Sequence, residues 1–167
     1  MRKILFVCTG NTCRSSMAEG LFNHIAKNGV DGMEDYTALS AGIFAFEGDG
    51  ANPKAIKVLK EGYGIDISSH RARRIKKSDV EDAHIILTMT KDHKNTLVGI
   101  FPEAKDKTWT LKEYASGKKS GENTQDSFEW DIPDPYGMPE EVYERCALTL
   151  KEAIDRLILR LKEEKSL

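Results

Sequence analysis

Long hydrophobic runs are absent from this chain. No stretch of its 167 residues approaches the roughly 20 apolar residues that a bilayer-spanning helix needs, so no membrane partner is expected. The opening Met-Arg-Lys leads into only four apolar residues, Ile4 to Val7, too few for a signal-peptide core. Cysteine is scarce too. Three of them, an odd number without framework spacing, argue against a disulfide scaffold and for a reducing compartment, the cytoplasm by default. Neither sign of charge is in excess. Lys and Arg number 25 against 27 Asp and Glu, which offers nucleic acid no global basic field. With no internal repeat and no linker, residues 1–167 are expected to form one domain, acting as a monomer.

What is present is concentrated near the start. Ile4-Leu5-Phe6-Val7 reads as a short buried strand, and a polar, Gly-containing loop follows at once. Ser16, with Glu19 three residues on, reads as a capping box that starts a helix, and Ala18, Leu21, Phe22 and Ile25 give that helix its core face. Strand, tight loop and helix make an anion cradle, because the unpaired N–H groups at a helix N-terminus carry the positive end of its dipole. Cys8 opens the loop and Arg14 closes it, with five residues between. The planar guanidinium matches two phosphate oxygens, and the same positive surroundings favour a thiolate nucleophile at Cys8. Thr9, Gly10, Asn11, Thr12 and Cys13 supply the backbone of the cradle. Cys8 as a merely buried small residue and Arg14 as a surface charge is the plainer alternative; their place between strand and helix outweighs it.

Further along, Tyr36 to Ala41 reads as a second strand, and Asn52-Pro53 as N-cap and first residue of a helix with inner stripe Ala55, Ile56 and Leu59. That helix is expected to stop at Gly62 or Gly64. Ser78 is expected to cap a short turn before a third strand, His84 to Met89, and Thr90 to start a helix carrying Leu97 and Val98. Lys107 to Thr110 is a fourth strand, and 115–130 a polar surface loop. Tyr143, Cys146, Ala147, Leu150, Ala153, Ile154, Leu157, Ile158 and Leu161 form one continuous stripe on a final helix. Strands alternating with helices imply a mainly parallel sheet, with ligands beyond the carboxyl ends of its strands. Asp131-Ile132-Pro133-Asp134-Pro135-Tyr136-Gly137 places two carboxylates between prolines, either an ordinary Asp-Pro turn or a source of the proton that a departing group needs.

Val7-Cys8-Thr9-Gly10-Asn11-Thr12-Cys13-Arg14-Ser15 resembles the signature loop of the low-molecular-weight protein phosphatases, and Asp134-Pro135-Tyr136-Gly137 resembles their acid loop. The resemblance implies an α/β, three-layer, flavodoxin-like domain with a central four-stranded parallel sheet. It implies a metal-independent enzyme without a cofactor that acts on a phosphorylated protein through a phosphocysteine. Cys8 would then be the nucleophile, Arg14 the phosphate clamp and Asp134 the general acid and later base. Ser15 would bond the thiolate, Ser40 and His70 would brace Asn11 and the loop, and Tyr136 would line the substrate cleft. Ser16 is a departure, since the family usually has Pro there.

Within the family, Thr12 and the run Thr110-Leu111-Lys112-Glu113-Tyr114 look most like the bacterial protein-arginine phosphatases, with the tyrosine phosphatases next. Tyrosine-specific relatives tend to carry a larger aliphatic residue at the Thr12 position; Thr leaves room and a hydroxyl for a polar guanidinium. Cys13, in the same loop, is a candidate resolving thiol for an oxidised Cys8. An arsenate reductase would need further cysteines in mid-chain, and none lies between Cys13 and Cys146. A non-catalytic phosphate-binding module should lack the nucleophile, the Arg or the acid, and a flavin or nucleotide binder would not need Cys8 and Arg14 at fixed spacing.

Overall fold

The computed structural model describes residues 1–117 and 130–165. Four parallel strands, β1 (Arg2–Cys8), β2 (Tyr36–Gly42), β3 (Ala83–Thr88) and β4 (Thr108–Thr110), lie in the order β2-β1-β3-β4. Every residue from Ile4 to Cys8 is buried, as a central parallel strand requires when both of its faces are covered. Side chains alternate between those faces. Ile4 and Phe6 enter one apolar cluster, Leu5 and Val7 another, so the sheet has a core on each side.

Helices cover both cores. On the Ile4 side lie α1 (Arg14–Lys27), α2 (Pro53–Tyr63), α5 (Leu111–Ser116) and α6 (Glu140–Lys165); on the Leu5 side lie α3 (Lys77–Asp82), α4 (Lys91–Ile100) and a 3-10 turn, Pro102–Lys107. All nine residues of the expected α6 stripe are buried. Burying a side chain the size of Leu150 or Leu157 contributes roughly 2 kcal/mol. Asn52 caps α2 by accepting from the Lys54 N–H at 2.9 Å, with Pro53 in the first turn, and Gly64 ends it in the left-handed conformation at φ 67°. Thr90 caps α4 as expected.

Three helix boundaries differ from expectation. Among the described residues no side chain caps α1, which begins at Arg14, two residues before Ser16. The Ser16 hydroxyl instead donates to the Cys13 carbonyl at 2.9 Å, so the capping box does not form. The cap of α3 is Lys76, with Asp79 accepting from its N–H at 2.8 Å, and Ser78 lies inside the helix. The loop expected over 115–130 begins later, because Ala115 and Ser116 close α5 and Gly117 caps it in the left-handed conformation; residues 118–129 lie outside the described residues.

The carboxyl end of β1 is central and borders strands that leave it in opposite directions along the sheet. This is the crevice where open α/β sheets hold ligands, and the Cys8 loop emerges there.

Candidate active site

The loop between β1 and α1 curls around the Cys8 sulfur. The Asn11 N–H donates to Sγ at 3.2 Å, and Ser15 Oγ lies 2.8 Å from it. Asn11 Nδ2 donates to Ser15 Oγ at 2.8 Å, which leaves the serine its own proton to donate to a Cys8 thiolate. Two donors thus point at the atom whose electron pair would attack. The curl depends on Asn11, the only non-glycine among the described residues with positive φ (58°). Asparagine tolerates this region better than most residues, and its side chain is used twice here. Besides donating to Ser15, it accepts the Arg73 N–H at Oδ1, 3.1 Å away. His70 Nε2 donates to the Asn11 carbonyl at 2.7 Å, and Glu19 stands 3.7 Å from the other ring nitrogen.

Ser40 does not share in this bracing. Its backbone pairs β2 with β1 opposite Phe6, but its buried hydroxyl has no hydrogen-bond partner among the described residues. What β2 contributes is Gly42. A Cβ there would lie 2.5 Å from the Thr9 carbonyl oxygen and 3.1 Å from the Asn11 nitrogen, so only glycine lets the strand end press against the loop.

Arg14 is 5 % exposed, and its guanidinium ties the loop to residues 131–137. Nη1 donates to the Ile132 carbonyl at 2.9 Å, and Nη2 lies 3.5 Å from Asp134 Oδ2. The other carboxylate oxygen of Asp134 accepts the Tyr136 N–H at 3.1 Å, an Asx turn that aims the carboxylate at Arg14. The same segment is pinned beneath by the Ile132 N–H on the Met89 carbonyl and by Asp131, which accepts the first free N–H of α4, from Lys91, at 2.8 Å. Asp131 therefore anchors the segment while Asp134 faces the loop. Tyr136 is 70 % exposed beside it.

Cys13 lies underneath, buried, with Sγ 3.5 Å from the Tyr143 hydroxyl of α6. Burial pushes its thiol up. Thr12 is half-buried, its carbonyl held by the Asn52 N–H. Sequence reasoning passed over the backbone of Arg73, over Gly42 and over His93, whose Nε2 is 2.8 Å from Thr9 Oγ1. Each joins the loop from a distant part of the chain, and none carries a local signal.

A thiol at a strand end, two donors on its sulfur, an arginine closing the loop and a carboxylate beyond it make a site for covalent phosphoryl transfer. The family model for "Low molecular weight phosphotyrosine protein phosphatase" matches residues 3–167. The chain belongs to this family. A protein-arginine-phosphatase of Geobacillus stearothermophilus is 44 % identical over 162 residues, 97 % of each chain. The crystal structure of a low-molecular-weight protein tyrosine phosphatase from T. tengcongensis superposes with a TM-score of 0.82 at 46 % identity, over 95 % of this chain and 98 % of that one. An arsenate reductase of Staphylococcus haemolyticus is 32 % identical over 92 % of this chain and 94 % of its own. As a low-molecular-weight phosphatase, the chain is a cysteine-dependent enzyme that works through a phosphocysteine.

Proposed function

We propose that this low-molecular-weight phosphatase is a monomeric, cytoplasmic enzyme without metal or cofactor that hydrolyses phosphoarginine in proteins. In the first step Cys8 Sγ attacks phosphorus, the P–N bond breaks, and the departing guanidine takes the Asp134 proton. In the second, water attacks the same phosphorus, Asp134 takes a proton from it, and the S–P bond breaks to release phosphate. Arg14 and the N–H groups of residues 9–14 hold the phosphoryl oxygens throughout, where fixed donors stabilise the charge that develops in transit. The observation that carries the reaction class is the position of the sulfur under the Asn11 N–H and the Ser15 hydroxyl, with Arg14 and Asp134 paired above the same loop.

Phosphoarginine is favoured over phosphotyrosine by Thr12 and by the name carried by the Geobacillus relative. A threonine at the loop edge leaves room for a planar, polar group and offers it a hydroxyl. Such a site penalises substrates that leave its polar groups unpaired. The activity named for the Staphylococcus relative is not favoured here. No cysteine lies between Cys13 and Cys146, and burial pushes the Cys146 thiol up to about 12, which leaves no ready thiolate outside the Cys8 loop to carry oxidation on from it.

The experiment compares kcat/KM on matched phosphoarginine and phosphotyrosine peptides for wild type and Thr12→Ile. Wild type should prefer phosphoarginine, and the substitution should move the ratio toward phosphotyrosine. An unchanged ratio, or a wild type that prefers phosphotyrosine, would favour the tyrosine branch instead.

A further inference from the structure

His93 is a buried imidazole that the reaction above does not use. It is the third residue of α4, where its N–H donates to the capping Thr90 hydroxyl at 3.1 Å and fixes the first turn. The ring is thereby laid against the nucleophile loop, with Nε2 2.8 Å from Thr9 Oγ1. Nδ1 is buried and has no hydrogen-bond partner among the described residues, and the residue is only 9 % exposed.

This asymmetry settles the tautomer. Burial, aided by the Arg14 charge, pulls the imidazolium pKa down to about 4, so the ring is neutral in the neutral pH range and carries one proton. On Nδ1 that proton would be a buried orphan donor in the positive field of the helix N-terminus. On Nε2 it finds Thr9 Oγ1, and only a bare lone pair remains at Nδ1. Nε2–H therefore donates to the threonine oxygen. The Thr9 hydroxyl cannot turn its own proton back to the ring, and its side chain has no other hydrogen-bond partner among the described residues. Thr9 is exposed and directly follows Cys8.

We infer that the Thr9 side chain is a substrate-binding donor whose hydroxyl proton goes to an oxygen of the phosphoryl group held at Cys8, and that His93 is the positioning residue behind it. The cradle then has a side-chain donor of its own at its first position, in addition to its backbone N–H groups and Arg14. This inference rests on the phosphatase reading but not on which phosphorylated side chain is the substrate.

The test uses an aryl phosphate as substrate and inorganic phosphate as inhibitor. KM and the phosphate inhibition constant should rise about tenfold in Thr9→Val, with kcat changed far less, because a hydrogen bond to a charged group is lost from ground and transition states alike. Thr9→Ser should stay near wild type. His93→Phe should reproduce the Thr9→Val pattern, the double variant should be no worse than either, and His93→Gln, which keeps an N–H donor, should recover most of the loss. Unchanged phosphate affinity in Thr9→Val overturns the inference even if His93→Phe fails to fold. So do additive losses in the double variant, or a His93→Phe variant that loses melting temperature but not phosphate affinity. Turnover that survives Cys8→Ser would instead bring down the phosphatase reading beneath it.

Discussion

Arg14 Nη2 lies 3.5 Å from Asp134 Oδ2, so the arginine that closes the nucleophile loop also holds the carboxylate of the loop beyond it. The arginine side chain is 6 % exposed and the aspartate 51 %, which makes Arg14 the fixed partner and Asp134 the solvent-accessible one. A carboxylate so placed can reach a leaving group above the cradle. Asp134→Ala should lower kcat/KM, which reports formation of the phosphocysteine, on the order of 100-fold or more for phosphoarginine or phosphotyrosine peptides, and far less for aryl phosphates whose leaving groups need no proton. Equal losses on both kinds of substrate would assign Asp134 a structural part only.

Asn11 carries a backbone strain and two side-chain bonds, and the two contributions separate by substitution. Asn11→Ala should cost roughly 3 kcal/mol in urea unfolding, from the left-handed φ and from the lost bonds to Ser15 and the Arg73 N–H. Asn11→Gly relieves the strain but still loses both side-chain bonds, so it should fall between Ala and wild type. Equal costs for Ala and Gly would contradict the strain argument.

His93 gives the fold a defined acid sensitivity. Its folded-state pKa, about 4, lies below the ordinary 6.5, so the unfolded chain binds the proton more readily. Stability that is fully present above about pH 6.5 is then lost as the pH falls toward 4, by an amount of the order of 3 kcal/mol. Urea midpoints measured across that range for wild type and His93→Gln should converge on acidification. Parallel curves would show that the imidazole is not held neutral.

Cys13 is proposed as the resolving thiol for Cys8. Peroxide would convert the Cys8 thiolate to a sulfenic acid, and attack by the Cys13 sulfur would form the disulfide and release water. Because burial raises the Cys13 thiol, it should not react with peroxide first. After peroxide and then reductant, wild type should regain activity and Cys13→Ala should not. Equal recovery would dispose of the switch.

The parts of this fold that show in the sequence are those with a repeating or stereotyped signal. The α6 stripe recurs over nine buried residues, β1 is an unbroken apolar run, and Asn52-Pro53 is a local cap whose geometry follows from two adjacent residues. What stays hidden is short or non-local. Six residues of α5 are too few for a helical period to stand out. Ser16 and Glu19 satisfy the pattern of a capping box, yet the helix starts at Arg14, where the loop has already turned, and Glu19 faces His70. The same holds for the site. Cys8, Arg14 and Ser15 lie within eight consecutive residues and are legible together, whereas Thr9 and His93 meet across 84 positions and Asn11 and Arg73 across 62. Ser40 shows the reverse: a position that matches a bracing residue presents a hydroxyl with no hydrogen-bond partner among the described residues.

The most direct measurement is of the covalent intermediate itself. Asp134→Ala mixed with an activated aryl phosphate should release a rapid burst of phenol, since forming the intermediate needs no acid while hydrolysing it needs the base. Acid quenching during the burst, followed by peptide mapping, should place one phosphoryl group on Cys8, and Cys8→Ala should show neither burst nor label. A phosphoryl group on another residue, or turnover that persists without Cys8, would contradict the account.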